Sequence, residues 1–266
     1  EEVAKFRAAR RVYAKIMKQR FRAQLPESMR LRFHCQTAAA TLTRAQPTNN
    51  VVRTALQALS AVLGGAQSLH TNGLDEAYTI PSEEAMKIAL RTQQVIADET
   101  RVPNVVDPLG GSYYVETLTT EIENAVFDIL EDINRLGGTI KAIEDGYFQR
   151  AIAKSAYEIA RRKEVGEHVS VGVNKYVDPS EPASIETHKV DPTSERRQIE
   201  RLRCVRAKRD DAAVKRLLGQ LVQEACDPTQ NLMPTTIKLV QARATLGEIV
   251  RCLKAELGAY TETPIF

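Results

Sequence analysis

The chain has 266 residues, 43% of them hydrophobic, enough apolar material for one large domain or two small ones. Its apolar runs fall well short of the ~20 residues of a membrane span, its start Glu1-Glu2-Val3-Ala4-Lys5 is no secretory signal, and its four cysteines (35, 204, 226, 252) lack CxxC spacing, so a soluble, cytoplasmic protein without a membrane partner or disulfide framework is expected. The net charge of +3 divides into +7 over residues 1–32 and −4 over the remainder, which points to an anionic ligand or partner surface; with 5% aromatics and no recognition motif, nucleic acid is not the expected partner.

A helix is expected from Glu2 to about Arg22, with Val3, Phe6, Tyr13, Ile16 and Met17 among its apolar positions. Arg11 and Lys15, four apart, share a face, and Arg10 sits on the adjoining edge, so the three can form one cationic patch or a solvated basic face. A short strand, Arg30–Cys35, follows within Leu31-Arg32-Phe33-His34-Cys35-Gln36-Thr37. It ends on an imidazole and a carboxamide followed by Ala38-Ala39-Ala40, which leaves room for a ligand's flat face to approach the backbone. The next helix spans about Asn50 to Leu63, with Thr48 or Asn49 as its cap, Val52, Leu56, Leu59 and Leu63 as its stripe, and Gly64-Gly65 as its stop. A second strand of the same kind is expected in Ala66-Gln67-Ser68-Leu69-His70-Thr71-Asn72, and Ser82 with Glu83 and Glu84 opens a helix to about Glu99. Strand, helix, strand, helix with short links predicts parallel strands. In α/β barrels the C-terminal ends of such strands carry the chemistry, and two strand ends in register would line one pocket.

Asp107–Tyr114 is an irregular, Gly-rich turn without the P-loop lysine or the Rossmann spacing, so tight packing is its expected use. Helices are expected over Glu116–Leu136, stopped by Gly137-Gly138, and from about Phe148 to Lys163. Val169–Val173 is a short strand candidate ahead of Asn174-Lys175-Tyr176. Residues 177–193 form a polar, Pro-punctuated linker. Four helices then follow, about Ser194–Lys208, Asp210–Cys226, Pro234–Ala242 and Thr245–Leu257, and the tail Tyr260–Phe266 is expected to have no regular structure. His168 and His188 read as surface residues.

Five runs share one order and spacing with a known family. They are His34-Cys35-Gln36-Thr37, Thr48-Asn49-Asn50-Val51-Val52-Arg53-Thr54, Gln67-Ser68-Leu69-His70-Thr71-Asn72 with Asp75-Glu76-Ala77, Asp107-Pro108-Leu109-Gly110-Gly111-Ser112-Tyr113-Tyr114-Val115-Glu116, and Gly172-Val173-Asn174-Lys175-Tyr176. Together they resemble the large, substrate-binding chain of the methylmalonyl-CoA mutase family, which includes isobutyryl-CoA and 2-hydroxyisobutyryl-CoA mutases. The resemblance runs from the first residues to the last but covers only the C-terminal part of the family's catalytic chain. It implies an α/β fold: the C-terminal part of a (β/α)8 TIM barrel followed by a helical region. Its last βα units would occupy residues 1–115, a helical extension 116–176, the linker 177–193 and a C-terminal helical segment 194–266.

The resemblance also implies an adenosylcobalamin-dependent isomerase that exchanges a hydrogen with a thioester group on the neighbouring carbon of an acyl-CoA. His34 matches an active-site histidine near the reacting acyl group, where a neutral imidazole can donate one hydrogen bond and accept another. Gln36 matches a side chain at the corrin face, Ala39 a corrin-facing position where relatives commonly have glycine, and Glu76 and Ala77 positions beside the adenosyl group and corrin. Arg10 and Lys15 match basic side chains that hold the phosphates of coenzyme A, and Gln67 matches a substrate-side amide. No metal ligand is expected from this chain, since the family's Asp-x-His-x-x-Gly cobalt-ligand motif does not occur. A cobalamin-binding small subunit or further domain would supply it. The first barrel strands also lack a counterpart, so the chain is expected to be inactive alone and to form homo- or hetero-oligomers. The alternative is a non-catalytic half-barrel or assembly subunit that requires a partner.

Overall fold

The computed structural model describes residues 1–180, 185 and 187–261. It divides into two compact units, Glu1–His188 and the residues from Lys189 onward.

The first unit is mostly helical around a small parallel sheet. Its elements are α1 (Glu2–Gln19), β1 (His34–Gln36), α2 (Asn49–Leu63), β2 (Ser68–His70), α3 (Glu83–Asp98), α4 (Tyr113–Arg135), α5 (Thr139–Glu144) and α6 (Tyr147–Glu164). β1 and β2 pair in parallel, with His34 opposite Ser68, Cys35 opposite Leu69 and Gln36 opposite His70. The helix α2 is the crossover that such a pair requires. Small buried residues let the helices approach closely: Ala4 and Ala8 on α1, Ala58 and Ala61 on α2, Ala85 and Ala89 on α3. Phe6 of α1 stacks on Phe33 at 5.3 Å, which seats α1 beside the entry to β1. Ser82 caps α3 by accepting from the Ala85 N–H at 3.2 Å, as its position before two glutamates predicts.

Several elements differ from the sequence expectation. The strand expected over Arg30–Cys35 begins only at His34. Pro26–Met29 form a 3-10 turn, and the Phe33 N–H donates to the Gln67 side chain at 2.8 Å rather than to a backbone carbonyl, so the ladder starts late. Helix α1 stops at Gln19 rather than Arg22, whose φ of 53° is incompatible with helix. The helix α5 was not expected; six residues are too few to show a period. Val169–Val173 is a tight turn and not a strand. Gly172 has φ +80°, and the Asn174 side chain accepts from the Ser170 N–H (2.7 Å) while donating to the carbonyls of Lys163 (2.9 Å) and His168 (2.8 Å). One amide thus satisfies backbone groups that a ladder would otherwise need. Within the expected linker, Asp191 caps and Pro192 opens the next helix; residues 181–184 and 186 of it, and 262–266 of the tail, lie outside the described residues.

In the second unit, α7 (Pro192–Lys208) buries no residue, while α8 (Asp211–Ala225), α9 (Met233–Gln241) and α10 (Leu246–Leu257) close on Leu217, Leu221, Leu239 and Ile249. A capping box between Thr245 and Glu248 starts α10. Glu248 also receives a bidentate fork from Arg209, at 2.8 and 2.7 Å. That fork holds the Glu248 carboxyl far below its ordinary range and raises the Arg209 guanidinium.

Candidate functional site

Side chains alternate along a strand, so the register of β1 and β2 sets His34, Gln36, Ser68 and His70 on one face and Cys35 and Leu69 on the other. His34, Gln36 and Ser68 are exposed and His70 is half-buried. Cys35 lines a groove with Glu2, Lys5 and Phe6 of α1 that Gln36 also borders, and desolvation pushes its thiol up. The exposed face is therefore a row of imidazole, amide and hydroxyl groups. A barrel that fills its own interior places branched aliphatic residues at such positions; a polar row suits a bound ligand.

His34 Nδ1 and Ser68 Oγ lie 2.7 Å apart, a hydrogen bond across the two strands. It occupies Nδ1 and leaves Nε2 for a ligand. One step further along the sheet, Gln36 Nε2 donates to Asn72 Oδ1 at 3.3 Å. Asn72 is 3% exposed and is held by Thr37, whose hydroxyl accepts from the Asn72 N–H (3.0 Å) and whose carbonyl accepts from Asn72 Nδ2 (3.0 Å). The structure thus brings His34 and Gln36 together, each tied to a side chain on or just beyond β2. The second run reads in the sequence as a strand end that would line one pocket with the first; that Ser68 and Asn72 are the partners of His34 and Gln36 follows only once the register is known.

Gln67 is occupied at both ends: its Oε1 accepts from the Phe33 N–H (2.8 Å) and its Nε2 donates to the Gly65 carbonyl (2.7 Å). It stitches the strand entries together and keeps one N–H and one lone pair for a ligand.

Ala39 lies in a 3-10 turn, Ala39–Thr41, that directly follows β1, with ordinary negative φ. The backbone at this point does not require glycine. Glu76 and Ala77 lie in the turn beyond β2, whose Glu76 N–H donates to the Gly73 carbonyl at 3.2 Å. The Glu76 carboxylate is half-buried and makes no hydrogen bond or ion pair among the described residues, while Ala77 is exposed. An acceptor without a protein donor, a small side chain and an outward amide after two strand ends fit a ligand rich in hydroxyls and amides. Among the described residues no group of three or more His, Cys, Asp or Glu side chains could hold a metal ion.

The basic face of α1 is divided. Arg11 and Lys15 both pair with Glu123 of α4, Arg11 at 2.6 Å, and Glu123 is 2% exposed. One turn earlier, the buried Arg7 donates to Asp107 twice (3.0 Å each), to Glu116 (2.6 Å) and to Thr119 (3.0 Å). This network holds the Glu116 carboxyl down at about 2 and raises the Arg7 guanidinium. Arg7, Arg11 and Lys15 recur every four residues, the spacing of one helix stripe, and that stripe faces an acidic partner helix. Arg10 lies off it. Its guanidinium approaches Gly65, where an added Cβ would sit 2.8 Å from Nη1, and its buried Nε has no partner. Lys15 is half-exposed beyond its ion pair.

Among the described residues no helix is long and apolar enough to cross a membrane. The family model for methylmalonyl-CoA mutase matches residues 1–259. The chain is 64% identical over 266 residues to the 2-hydroxyisobutanoyl-CoA mutase large subunit of Aquincola tertiaricarbonis, all of this chain but 47% of that protein. It is 41% identical over 265 residues to the methylmalonyl-CoA mutase of Rhizobium meliloti (strain 1021), 99% of this chain and 37% of that one. With the mitochondrial methylmalonyl-CoA mutase of Homo sapiens it shares 40% over 260 residues, 97% of this chain and 34% of the human protein. The chain therefore spans about half, or little more than a third, of the length of these relatives, and matches their C-terminal part. On this evidence the chain belongs to the methylmalonyl-CoA mutase family.

Proposed function

We propose that this chain is the substrate- and cofactor-facing C-terminal part of an adenosylcobalamin-dependent acyl-CoA mutase, and that β1 and β2 are late strands of a (β/α)8 barrel completed by other strands. The observation that carries this reading is the polar row His34, Gln36 and Ser68, exposed along one face of two short parallel strands in register, with His34 and Ser68 as their first residues. Adenosylcobalamin, when bound, supplies the radical chemistry that lets a hydrogen and a thioester group exchange places. The residues of this chain bind, orient and exclude water.

His34 is the catalytic residue. With Nδ1 held by Ser68, its Nε2 positions the acyl group that rearranges. Gln36 and the small Ala39 form the surface that meets the corrin, and the unpaired Glu76 carboxylate, beside Ala77, accepts from ribose hydroxyls of the adenosyl group. Arg10 is the main phosphate contact for coenzyme A, because its guanidinium alone on the basic face lies off the stripe that pairs with α4. Lys15 contributes through the ammonium hydrogens that Glu123 leaves free, and Gln67 through its remaining N–H. A cobalamin-binding small subunit supplies the axial ligand to cobalt, in keeping with a relative whose name is that of a large subunit.

The test is kinetic, in a mutase assembled from this chain, the remaining barrel strands and a corrin-binding subunit. His34→Ala is expected to lower kcat far more than it weakens acyl-CoA binding. If it alters only KM, His34 is a binding residue and the reading of the row is wrong.

A further inference from the structure

We propose that Asn72 is the positioning residue for Gln36, and that by accepting one N–H of the Gln36 amide it fixes which way round that amide stands, so that the carbonyl oxygen is left to accept from an amide N–H of the ligand. The identity of the ligand rests on the acyl-CoA mutase reading. The orientation rests on hydrogen-bond geometry alone.

A side-chain amide can in principle be placed either way round, and its polarity must be read from its partners. Here the polarity is set from one end of a chain of contacts. The backbone carbonyl of Thr37 can only accept, so the Asn72 group 3.0 Å from it is the NH2. The remaining Asn72 atom is then an oxygen, which also can only accept. The Gln36 group 3.3 Å from that oxygen is therefore the NH2. Reversing Gln36 would set two oxygens against each other. Reversing Asn72 would set its oxygen against the Thr37 carbonyl.

Asn72 is not free to move to another partner. Its backbone N–H is held by the Thr37 hydroxyl at 3.0 Å, and the Thr37 N–H donates to the His70 carbonyl at 3.1 Å. Thr37 and Asn72 are both buried. Oε1 of Gln36 is left without a partner among the described residues, on a residue that is exposed like His34. Both ligands of the mutase reading carry amide N–H donors: the primary amides at the periphery of a corrin, and the pantetheine arm of coenzyme A. The chemistry the site selects is that donor.

The test labels the full chain with glutamine carrying heavy nitrogen in its side-chain amide and follows Gln36 by NMR. In the unsubstituted chain its two amide protons should be resolved, with one exchanging slowly with water. Asn72→Ala should return both to free-glutamine behaviour. A Gln36 amide that already exchanges as fast as free glutamine in the unsubstituted chain overturns the orientation, whatever the variant does. In a mutase assembled from this chain, the remaining barrel strands and a corrin-binding subunit, adenosylcobalamin and isobutyryl-CoA are then titrated separately. A shift of the Gln36 amide with the corrin assigns the acceptor to the cofactor, and one with the CoA ester assigns it to the substrate. Gln36→Met should weaken that ligand about tenfold, the worth of one hydrogen bond. The double variant with Asn72→Ala should bind no more weakly than either single one, because the two residues act as a unit. Additive losses would make Asn72 merely structural. Slow exchange with no response to either ligand would overturn the acceptor role and count against the mutase reading, while leaving the orientation standing.

Discussion

In the proposed function, His34 and Arg10 separate two kinds of interaction with one substrate. A group that acts on the rearranging acyl portion stabilises the transition state, worth on the order of 2–4 kcal/mol in a preorganised site, so His34→Ala should lower kcat by two to three orders of magnitude. A phosphate contact is the same in ground and transition states. Arg10→Ala should therefore raise KM with little change in kcat, and steady-state kinetics on the two variants checks both. The carboxylate of Glu116 gives a pH prediction. Its folded value of about 2 lies below the ordinary 4.5, so its stabilising effect is complete above pH 4.5 and is lost as pH falls toward 2. Melting temperature measured across that window should fall, and Glu116→Gln should flatten the slope. At this scale, sequence showed which residue types end the strands but not what they touch. The motif singles out His34 and Gln36, and the register sets them on one face. That Glu123 pairs with both Arg11 and Lys15 was not legible, because it lies more than a hundred residues away and only the packing of α1 on α4 joins them.

Long elements with strong periodicity were legible, and short ones were not. The expected helices from Asn50, Ser82, Asp210 and Thr245 match α2, α3, α8 and α10 to within a residue or so, because stripes, caps and stops agree there. Apart from the end of α1 and the start of α4, each three residues from its expected place, the misplaced or missed pieces, β1, α5 and the turn at 169–173, are those whose backbone bonds go to side chains or whose length is a single turn. Two substitutions test the packing. Leu221, fully buried among α8, α9 and α10, should cost about 2–5 kcal/mol on replacement by alanine. Thr245→Ala, which removes one half of the capping box on α10, should cost about 1 kcal/mol. Chemical denaturation of the full chain measures both; a Leu221→Ala loss no greater than that of Thr245→Ala would contradict the packing of that core.

At the scale of the whole molecule, a two-stranded parallel sheet leaves strand edges unpaired, and the large apolar side chains of Val106 and Tyr113 stand almost fully exposed. Proteins normally cover both features. The isolated chain should therefore associate with itself or with a partner, and sedimentation at micromolar concentration should show species heavier than 29.6 kDa. A cooperative monomer that ignores a hydrophobic dye would contradict this. For the same reason the chain alone should not isomerise an acyl-CoA when adenosylcobalamin is added. The most direct test of the central claim is the turnover of acyl-CoA by an assembled mutase containing this chain, with and without His34→Ala, alongside the affinity for the same ester. The account predicts that isomerisation collapses while acyl-CoA still binds. Undiminished turnover, or loss of folding at unchanged temperature and pH, would contradict it and make His34 a structural histidine.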